Sequence, residues 1–110
     1  MKKTNASGFS RAQELTLEQA AVCFQALSDP TRLRILQALK EKERSVQELV
    51  GMFDWTQPNI SRHLVILARA GFVKKTKRGA YVYYAIKNRD SMRLCDWICV
   101  HVRETAASFS

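Results

Sequence analysis

Acidic residues are missing from one continuous third of this sequence. Between Trp55 and Arg89 there is no Asp or Glu, and basic and acidic residues balance over the rest of the chain. The formal net charge of +8 therefore comes from this basic window, which holds Arg62, Arg69, Lys74, Lys75, Lys77, Arg78, Lys87 and Arg89. A positive field confined to one segment attracts a polyanion, because Lys and Arg contacts to phosphates release condensed counterions.

Other absences exclude whole classes of protein. No apolar run is long enough to span a bilayer, and Met1 to Arg11 is polar, so we expect neither a membrane anchor nor a signal peptide. The chain has no Gly-rich phosphate loop, no Ser/His/Asp set and no close carboxylate pair in an apolar setting, which argues against an enzyme. Three cysteines make no even disulfide framework, so we expect a reducing, cytoplasmic location.

Length and composition predict a single domain. With 110 residues, of which 46% are hydrophobic, the chain can bury a modest core but not a large enclosed active site. No repeat, low-complexity tract or linker divides residues 1–110, and we expect only 1–12 and 105–110 to fray.

The basic window opens with the pattern of a helix. Thr56 is a capping residue, Pro58 lies in the first turn and Gly71 ends the segment. Apolar residues follow one side at helical spacing, which leaves polar side chains on the other side near the start. The major groove of DNA admits one helix, and Gln, Asn and Arg make bidentate pairs with its base edges. The candidate DNA contacts are Thr56, Gln57, Asn59, Ser61, Arg62 and His63.

After Gly71 the period changes from helical to two. Residues 72–77 and 80–86 are rich in β-branched and aromatic types, and Arg78-Gly79 predicts a turn between them. Lysines on a hairpin can also serve only to protect exposed edge strands from aggregation. That role explains the lysines, but it does not explain why acidic residues are absent from both the helix and the hairpin. We therefore expect this wing to contact DNA through Lys74, Lys75, Lys77 and Arg78.

Three more helices precede the basic window. Thr16 is expected to cap the first, which ends near Ser28, and Asp29-Pro30 starts the second. A capping box at 45–48 opens a short third helix that turns at 53–55 into the fourth. The predicted fold is mainly α with a small β-hairpin: a winged helix-turn-helix of about five helices and a two-stranded wing.

Three motifs in this order resemble the signature of the ArsR/SmtB transcriptional regulators. They are Ala26-Leu27-Ser28-Asp29-Pro30-Thr31-Arg32-Leu33-Arg34-Ile35-Leu36, then Ser45-Val46-Gln47-Glu48-Leu49, then Gln57-Pro58-Asn59-Ile60-Ser61-Arg62-His63-Leu64 through Ala70-Gly71-Phe72-Val73. The resemblance implies a homodimeric repressor on a palindromic operator of double-stranded DNA. It also implies release by an effector, often a metal or metalloid ion, and dimerisation through the first and last helices.

The last predicted helix, about Arg89 to Thr105, carries an apolar seam and two thiols. Leu94, Ile98 and Val102 form the seam. Cys95 and Cys99 lie four residues apart on one face, and the resemblance brings the first helix, with Cys23, against this one. Such thiols suit an arsenite-like metalloid, a soft divalent metal, an oxidant or reactive sulfur as effector. Free cysteines also pack as small hydrophobes, and no cofactor is required.

A second candidate effector site lies on another flank of that helix. The resembled family has a metal site of Asp-x-His followed ten residues later by His-x-x-Glu, which binds zinc-like ions across the dimer. Here the same spacing gives Asn88-Arg89-Asp90 and then His101-Val102-Arg103-Glu104, so the alternative ligands are Asp90, His101 and Glu104. The ligand types are not those of the pattern. The other function class left open is a winged-helix protein-interaction module without an effector.

Overall fold

The computed structural model describes residues 8–106, which form five α-helices, three β-strands and one 3-10 turn. In chain order these are α1 (Arg11–Leu27), α2 (Pro30–Glu41), β1 (Arg44–Ser45), α3 (Val46–Phe53), α4 (Gln57–Arg69), β2 (Val73–Arg78), β3 (Tyr81–Ile86), the 3-10 turn (Arg89–Ser91) and α5 (Met92–Glu104). Helices α3 and α4 with the hairpin β2–β3 make the predicted winged helix-turn-helix. None of these helices is long and apolar enough to cross a membrane.

Helix α1 begins five residues before Thr16, so the prediction that Thr16 caps it is wrong. Ser10 is the N-cap: its Oγ accepts from the Gln13 backbone N–H at 3.2 Å, and Gln13 Oε1 accepts from the Ser10 N–H at 2.8 Å. This reciprocal pair satisfies two helix-end donors, which Thr16 cannot do from inside the helix. Arg11 and Ala12, in the stretch expected to fray, are helical. Residues 1–7 and 107–110 lie outside the described residues.

The starts of α2, α3 and α4 agree with their capping residues, whereas α5 begins at Met92 rather than at Arg89 and has no side-chain cap. Asp29 Oδ2 accepts from the Arg32 backbone N–H at 3.0 Å, and Ser45 Oγ accepts from that of Glu48 at 3.1 Å. Thr56 Oγ1 lies 3.4 Å from the Asn59 nitrogen at the start of α4. Asp54 closes α3 in the left-handed conformation, with φ 54°, and so sharpens the turn into α4.

The wing is a three-stranded antiparallel sheet in the order β1–β3–β2. The sequence predicted two strands, because β1 has only two residues and shows no alternation. Arg78 pairs with Tyr81, so the hairpin loop is Gly79-Ala80, one residue later than expected. Gly79 has φ +60° and Ala80 does not have a positive φ, as in a type II′ turn, which calls for glycine at the first loop position.

The core lies under the helix-turn-helix and the wing. The most deeply buried large side chains all come from α2, α3 and α4: Ile35, Leu36, Leu39, Leu49, Ile60, Leu64 and Leu67. Val73, Tyr84 and Ile86 attach the sheet to this core. The helix and the wing that are predicted to contact DNA therefore pack directly on the hydrophobic core.

Helices α1 and α5 bury little of their apolar surface within the chain. Ala26 is the one buried residue described in α1, and Met92 and Cys95 are the buried residues described in α5. Their exposed large apolar side chains are Leu15, Leu17, Val22, Phe24, Leu94, Trp97, Ile98, Val100 and Val102. The radius of gyration is 17.0 Å, whereas a compact domain of this length has about 13 Å. Both helices thus leave apolar faces uncovered.

Candidate nucleic-acid interface

Helix α4 presents a polar, acid-free start to solvent. Ile60, Leu64 and Leu67 face the core with no exposed area, which fixes how the helix is rotated. Thr56, Gln57, Asn59 and Arg62 are exposed, and Ser61 is half-buried. The structure therefore brings five of the six candidate contacts of this helix to a surface that a DNA groove can reach.

His63 differs from the other candidates, because its side chain is only 20% exposed. Its Nδ1 lies 3.2 Å from Nη1 of Arg32 and 3.9 Å from Oδ2 of Asp29. Burial lowers the pKa of His63 below its ordinary value of 6.5, and the charges of Arg32 and Arg62 lower it further against the opposing carboxylate of Asp29. The imidazole is therefore neutral near pH 7.

Asp29 joins the same cluster from the start of α2. Burial on its own raises the pKa of this carboxyl. The backbone N–H of Arg32 and the nearby positive charges more than offset that effect, so the pKa falls below 3.8. Asp29 is ionised at neutral pH and acts as both the helix cap and a counter-charge beside His63.

The four basic candidates of the wing divide between two faces of the hairpin. Lys75 and Lys77 pair with Tyr84 and Val82, and so share the face that carries the buried Val73 and Ile86. Lys74 and Arg78 share the opposite face with Tyr81 and Tyr83. All four basic residues are exposed. A DNA duplex that contacts one face of the hairpin does not contact the other face in the same way, so the four basic residues cannot make equivalent DNA contacts.

Arg78 already has a carboxylate partner in the protein. Its Nη2 donates to Oε2 of Glu43 at 2.9 Å, its Nη1 bonds the other oxygen, and the guanidinium lies 4.9 Å from the ring centre of Tyr83. The hydrogen bond to Glu43 raises the pKa of Arg78 above its ordinary value. Glu43 lies in the loop between α2 and β1, so the pair ties the wing to the body of the domain.

Sequence reasoning missed Arg32 and Glu43. Each lies outside the basic window and contacts a candidate DNA residue more than thirty positions away. The cap at Asp29 predicts where α2 starts, but no spacing indicates that Arg32 reaches α4. Folding also brings Asp29 and Glu43 beside a window that contains no acid in sequence.

The three thiols are in different surroundings. Cys95 is 6% exposed and Cys99 is exposed, and both border an open groove of about 1230 Å³ lined also by Phe24, Leu33, Leu94 and Ile98. Burial raises the pKa of Cys95. The neighbouring Cys99 and Asp96 raise it further, and the positive charge of Lys40 partly opposes this rise. Cys23 is half-buried, and its thiol lies 3.7 Å from the carbonyl oxygen of Ala70 at the end of α4.

Neither candidate effector set is assembled within one protomer. Over residues 8–106 there is no group of three His, Cys, Asp or Glu side chains able to hold a metal ion. Asp90 lies in the 3-10 turn, and the exposed His101 ring stacks on Trp97 with their centres 5.3 Å apart. Cys95, Cys99 and Cys23 do not converge in one chain either. Both sets stay predictions that need a second protomer or a smaller ligand set.

A winged helix-turn-helix with an acid-free, polar reading helix defines the class of DNA-binding transcription regulators. Residues 29–75 match the family described as bacterial regulatory protein, arsR family. The chain is 44% identical over 70 residues to an HTH-type transcriptional regulator of Methanocaldococcus jannaschii, which covers 63% of this chain and 79% of the relative. It is 32% identical over 75 residues to the transcriptional repressor SdpR of Bacillus subtilis, covering 68% and 83%.

A solved structure agrees with this grouping over nearly the whole chain. The homodimeric winged helix-turn-helix DNA-binding domain of a possible ArsR-family regulator from Mycobacterium bovis superimposes with a TM-score of 0.80 at 28% identity, covering 94% of each chain. The protein belongs to the ArsR family. The resemblance seen in the sequence motifs is confirmed, and the chain is a transcription regulator rather than an enzyme.

Proposed function

We propose that this protein is a dimeric transcriptional repressor that binds a palindromic operator with α4 in the major groove and the wing along the backbone. The observation that carries the proposal is the exposed, acid-free start of α4, where Gln57, Asn59 and Arg62 stand on a helix held rigidly by three buried residues. These side chains match the donors and acceptors of base edges.

The uncovered faces of α1 and α5 support a dimer built through these two helices. Phe24 is 60% exposed and Trp97 is 62% exposed, which a monomer of this size has little reason to tolerate. The groove between α2, α5 and the end of α1 is apolar and open. A second copy related by a two-fold axis offers the same apolar helices and covers both faces at once.

Two-fold symmetry also accounts for the mode of DNA reading. A dimer places its two α4 helices at a fixed separation, and an operator with two half-sites about one helical turn apart matches it. The basic residues of the wing and α4 supply the sequence-independent part of the affinity. We still predict a cytoplasmic location, because the proposed function needs access to DNA and the three cysteines are free.

The effector in this proposal acts through Cys95 and Cys99, with Cys23 contributed by either chain. Ligation of an arsenite-like metalloid or soft metal, or oxidation, requires Cys95 to move relative to α2, because Cys95 is buried near the Lys40–Asp96 ion pair, whereas Cys99 is already exposed. A coupling of about 1–3 kcal/mol between the two dimer packings is enough to release DNA. The alternative set Asp90, His101 and Glu104 suits a divalent metal instead.

Fluorescence titrations of labelled DNA test the function as a whole. The probes are a duplex selected by the protein from a random-sequence library and an unrelated duplex of equal length. We expect the affinity for both to fall steeply as salt rises, with a preference for the selected duplex at every salt concentration. Absence of DNA binding at low salt would favour a winged helix that docks other proteins.

Release by an effector is tested on the same selected duplex. Wild type and a Cys95→Ser/Cys99→Ser double variant are exposed to arsenite, divalent metals, peroxide and a persulfide donor. The expected result is release of the wild type by one of them and no release of the double variant. If the double variant releases DNA with the wild-type dose response, the thiols are not the effector site. The next candidates are then Asp90, His101 and Glu104, and His101→Ala is the variant that tests them.

A further inference from the structure

Arg32 joins three helices through its guanidinium group. From its place on α2, its Nε donates to the Ala26 carbonyl at 2.6 Å and its Nη2 donates to the Gln25 carbonyl at 3.1 Å. Its Nη1 lies 3.2 Å from Nδ1 of His63 on α4. One side chain thus contacts the end of α1 and the middle of α4.

The two carbonyls belong to the last turn of α1, where carbonyl groups have no partner inside the helix. Helix α1 has no basic residue of its own in that turn. Ser28 already donates to the Gln25 carbonyl through its backbone N–H at 3.1 Å and its Oγ at 2.7 Å. Arg32 therefore supplies the donor to the Ala26 carbonyl, a further donor to that of Gln25, and the positive charge that a helix C-terminus favours.

The contact with His63 also determines where the imidazole proton lies. Arginine carries only donors and stays protonated in proteins, so Nδ1 of His63 must be the acceptor. The neutral ring then bears its proton on Nε2. No hydrogen bond to Nε2 occurs among residues 8–106, and no buried side-chain nitrogen or oxygen described there lacks a partner. The Nε2–H is thus open to solvent.

A second contact joins the same two helices. The thiol of Cys23, on α1, lies 3.7 Å from the carbonyl of Ala70, just beyond the end of α4. The contacts at positions 63 and 70 add to the buried packing of α4, and they link both the middle of this helix and the residue after its end to α1.

We propose that Arg32 is a positioning residue for DNA reading: by capping α1 and bonding His63, it fixes the orientation of α4 relative to α1. This inference rests on the proposed function, in which α1 forms the dimer and α4 reads DNA. The orientation of α4 on α1 then sets where each reading helix meets its half-site. His63 meets DNA only as a donor, through Nε2.

Matched lysine substitutions test this role without changing the net charge. Arg32→Lys keeps the positive charge but loses the planar fork that reaches both helices. We expect it to lower affinity for the selected duplex about tenfold or more, as for a lost charge-assisted hydrogen bond. Affinity for the unrelated duplex and the salt slope should not change, because the charge count is the same. The control is Arg34→Lys on the same helix, which should keep the wild-type preference.

Nitrogen-15 NMR of the histidine ring gives a readout that needs no DNA. In the free wild-type protein near pH 7.5, the spectrum of His63 should show the tautomer protonated at Nε2. Arg32→Lys should shift the ring toward a mixture of tautomers. A wild-type ring protonated at Nδ1, or Arg32→Lys with both wild-type tautomer and wild-type preference, overturns the proposal.

Two substitutions of His63 decide the matter if Arg32→Lys does not fold. Asn places an amide oxygen near the position of Nδ1, whereas Gln places an amide nitrogen near that of Nε2. His63→Asn should weaken both duplexes alike and keep the preference, and His63→Gln should lose the preference. Equal preference in the two variants overturns the positioning role. Failure of the wild type to bind either duplex refutes the proposed function, while the tautomer still tests the Arg32–His63 contact.

Discussion

The guanidinium of Arg78 on the wing holds both carboxylate oxygens of Glu43, with Nη2 and Oε2 2.9 Å apart. The side chain of Lys77, its neighbour on the other face of the hairpin, is exposed and makes no hydrogen bond or ion pair among the described residues. Two adjacent basic residues that look alike in the sequence therefore differ in how much charge they offer to DNA.

This difference predicts unequal salt dependence. Lys77→Ala should weaken binding to all duplexes alike and reduce the salt slope by about one. Arg78→Ala should change the slope less, because Glu43 already neutralises Arg78. Titrations at several salt concentrations measure both. In a Glu43→Gln background, Arg78→Ala should behave like Lys77→Ala, and equal slopes in the native background would contradict the prediction.

Arg62 should read a base rather than a phosphate, because it lies near the polar start of α4, the part that is proposed to enter the major groove, and its side chain is exposed. Arg62→Ala should cost about 1–3 kcal/mol and relax the preference at one position of the selected duplex. The measurement is affinity for a set of duplexes that each carry one base-pair change. Arg69→Ala, an exposed arginine in the last turn of the same helix, is the control and should lose affinity without altering the preference at any position.

Dimer formation should depend on Ile98. A carboxylate in the seam of α5 leaves an unpaired charge in an interface that excludes water, so Ile98→Asp should dissociate the dimer and abolish operator binding. Light scattering measures the mass. Val65→Asp is a matched control for the mass alone, because Val65 is 40% and Ile98 44% exposed but Val65 lies on α4. A dimeric Ile98→Asp protein would place the interface elsewhere.

The thiols of α5 should react with alkylating reagents in a fixed order. Cys99 is exposed, whereas burial both hides Cys95 and raises its pKa, which lowers its thiolate fraction. We expect iodoacetamide to modify Cys99 first and Cys95 last. Mass spectrometry of timed digests gives the order, and unfolding in urea should remove the difference. Faster modification of Cys95 in the folded protein would mean that α5 does not pack on α2 in this way.

Stability should fall in mild acid because of His63. Its pKa in the folded protein is lowered from 6.5, so the unfolded chain takes up this proton first as the pH falls. The contribution of neutral His63 to the free energy of unfolding is complete above pH 6.5, and it is lost as the pH decreases through the lowered pKa of the folded protein. Urea unfolding between about pH 8 and pH 5 should show a smaller fall for His63→Asn than for wild type. The lowered pKa of Asp29 changes the stability only near and below pH 3.8, so its effect can be separated from that of His63.

Much of the fold was predictable from local patterns. The caps at Asp29, Ser45 and Thr56 start helices where the sequence places them, and Gly79 lies in the loop of the hairpin. Each of these features depends on backbone groups within a few residues, so its cause is visible in sequence. The helical spacing of the apolar residues in α4 likewise predicts its polar start, because a helix buries one side and exposes the other.

The remaining features depend on how the helices pack, which no local pattern records. The sequence presents His63 as one of several polar side chains at the start of a helix, but the packing of α2 against α4 turns it toward Arg32, 31 positions away. The same holds for Arg78 and Glu43, 35 positions apart. Short strand β1 is likewise defined by its pairing with β3, which lies far from it along the chain. Charge and spacing thus predict a candidate DNA-reading surface, whereas tertiary contacts decide which of its side chains already have partners within the protein.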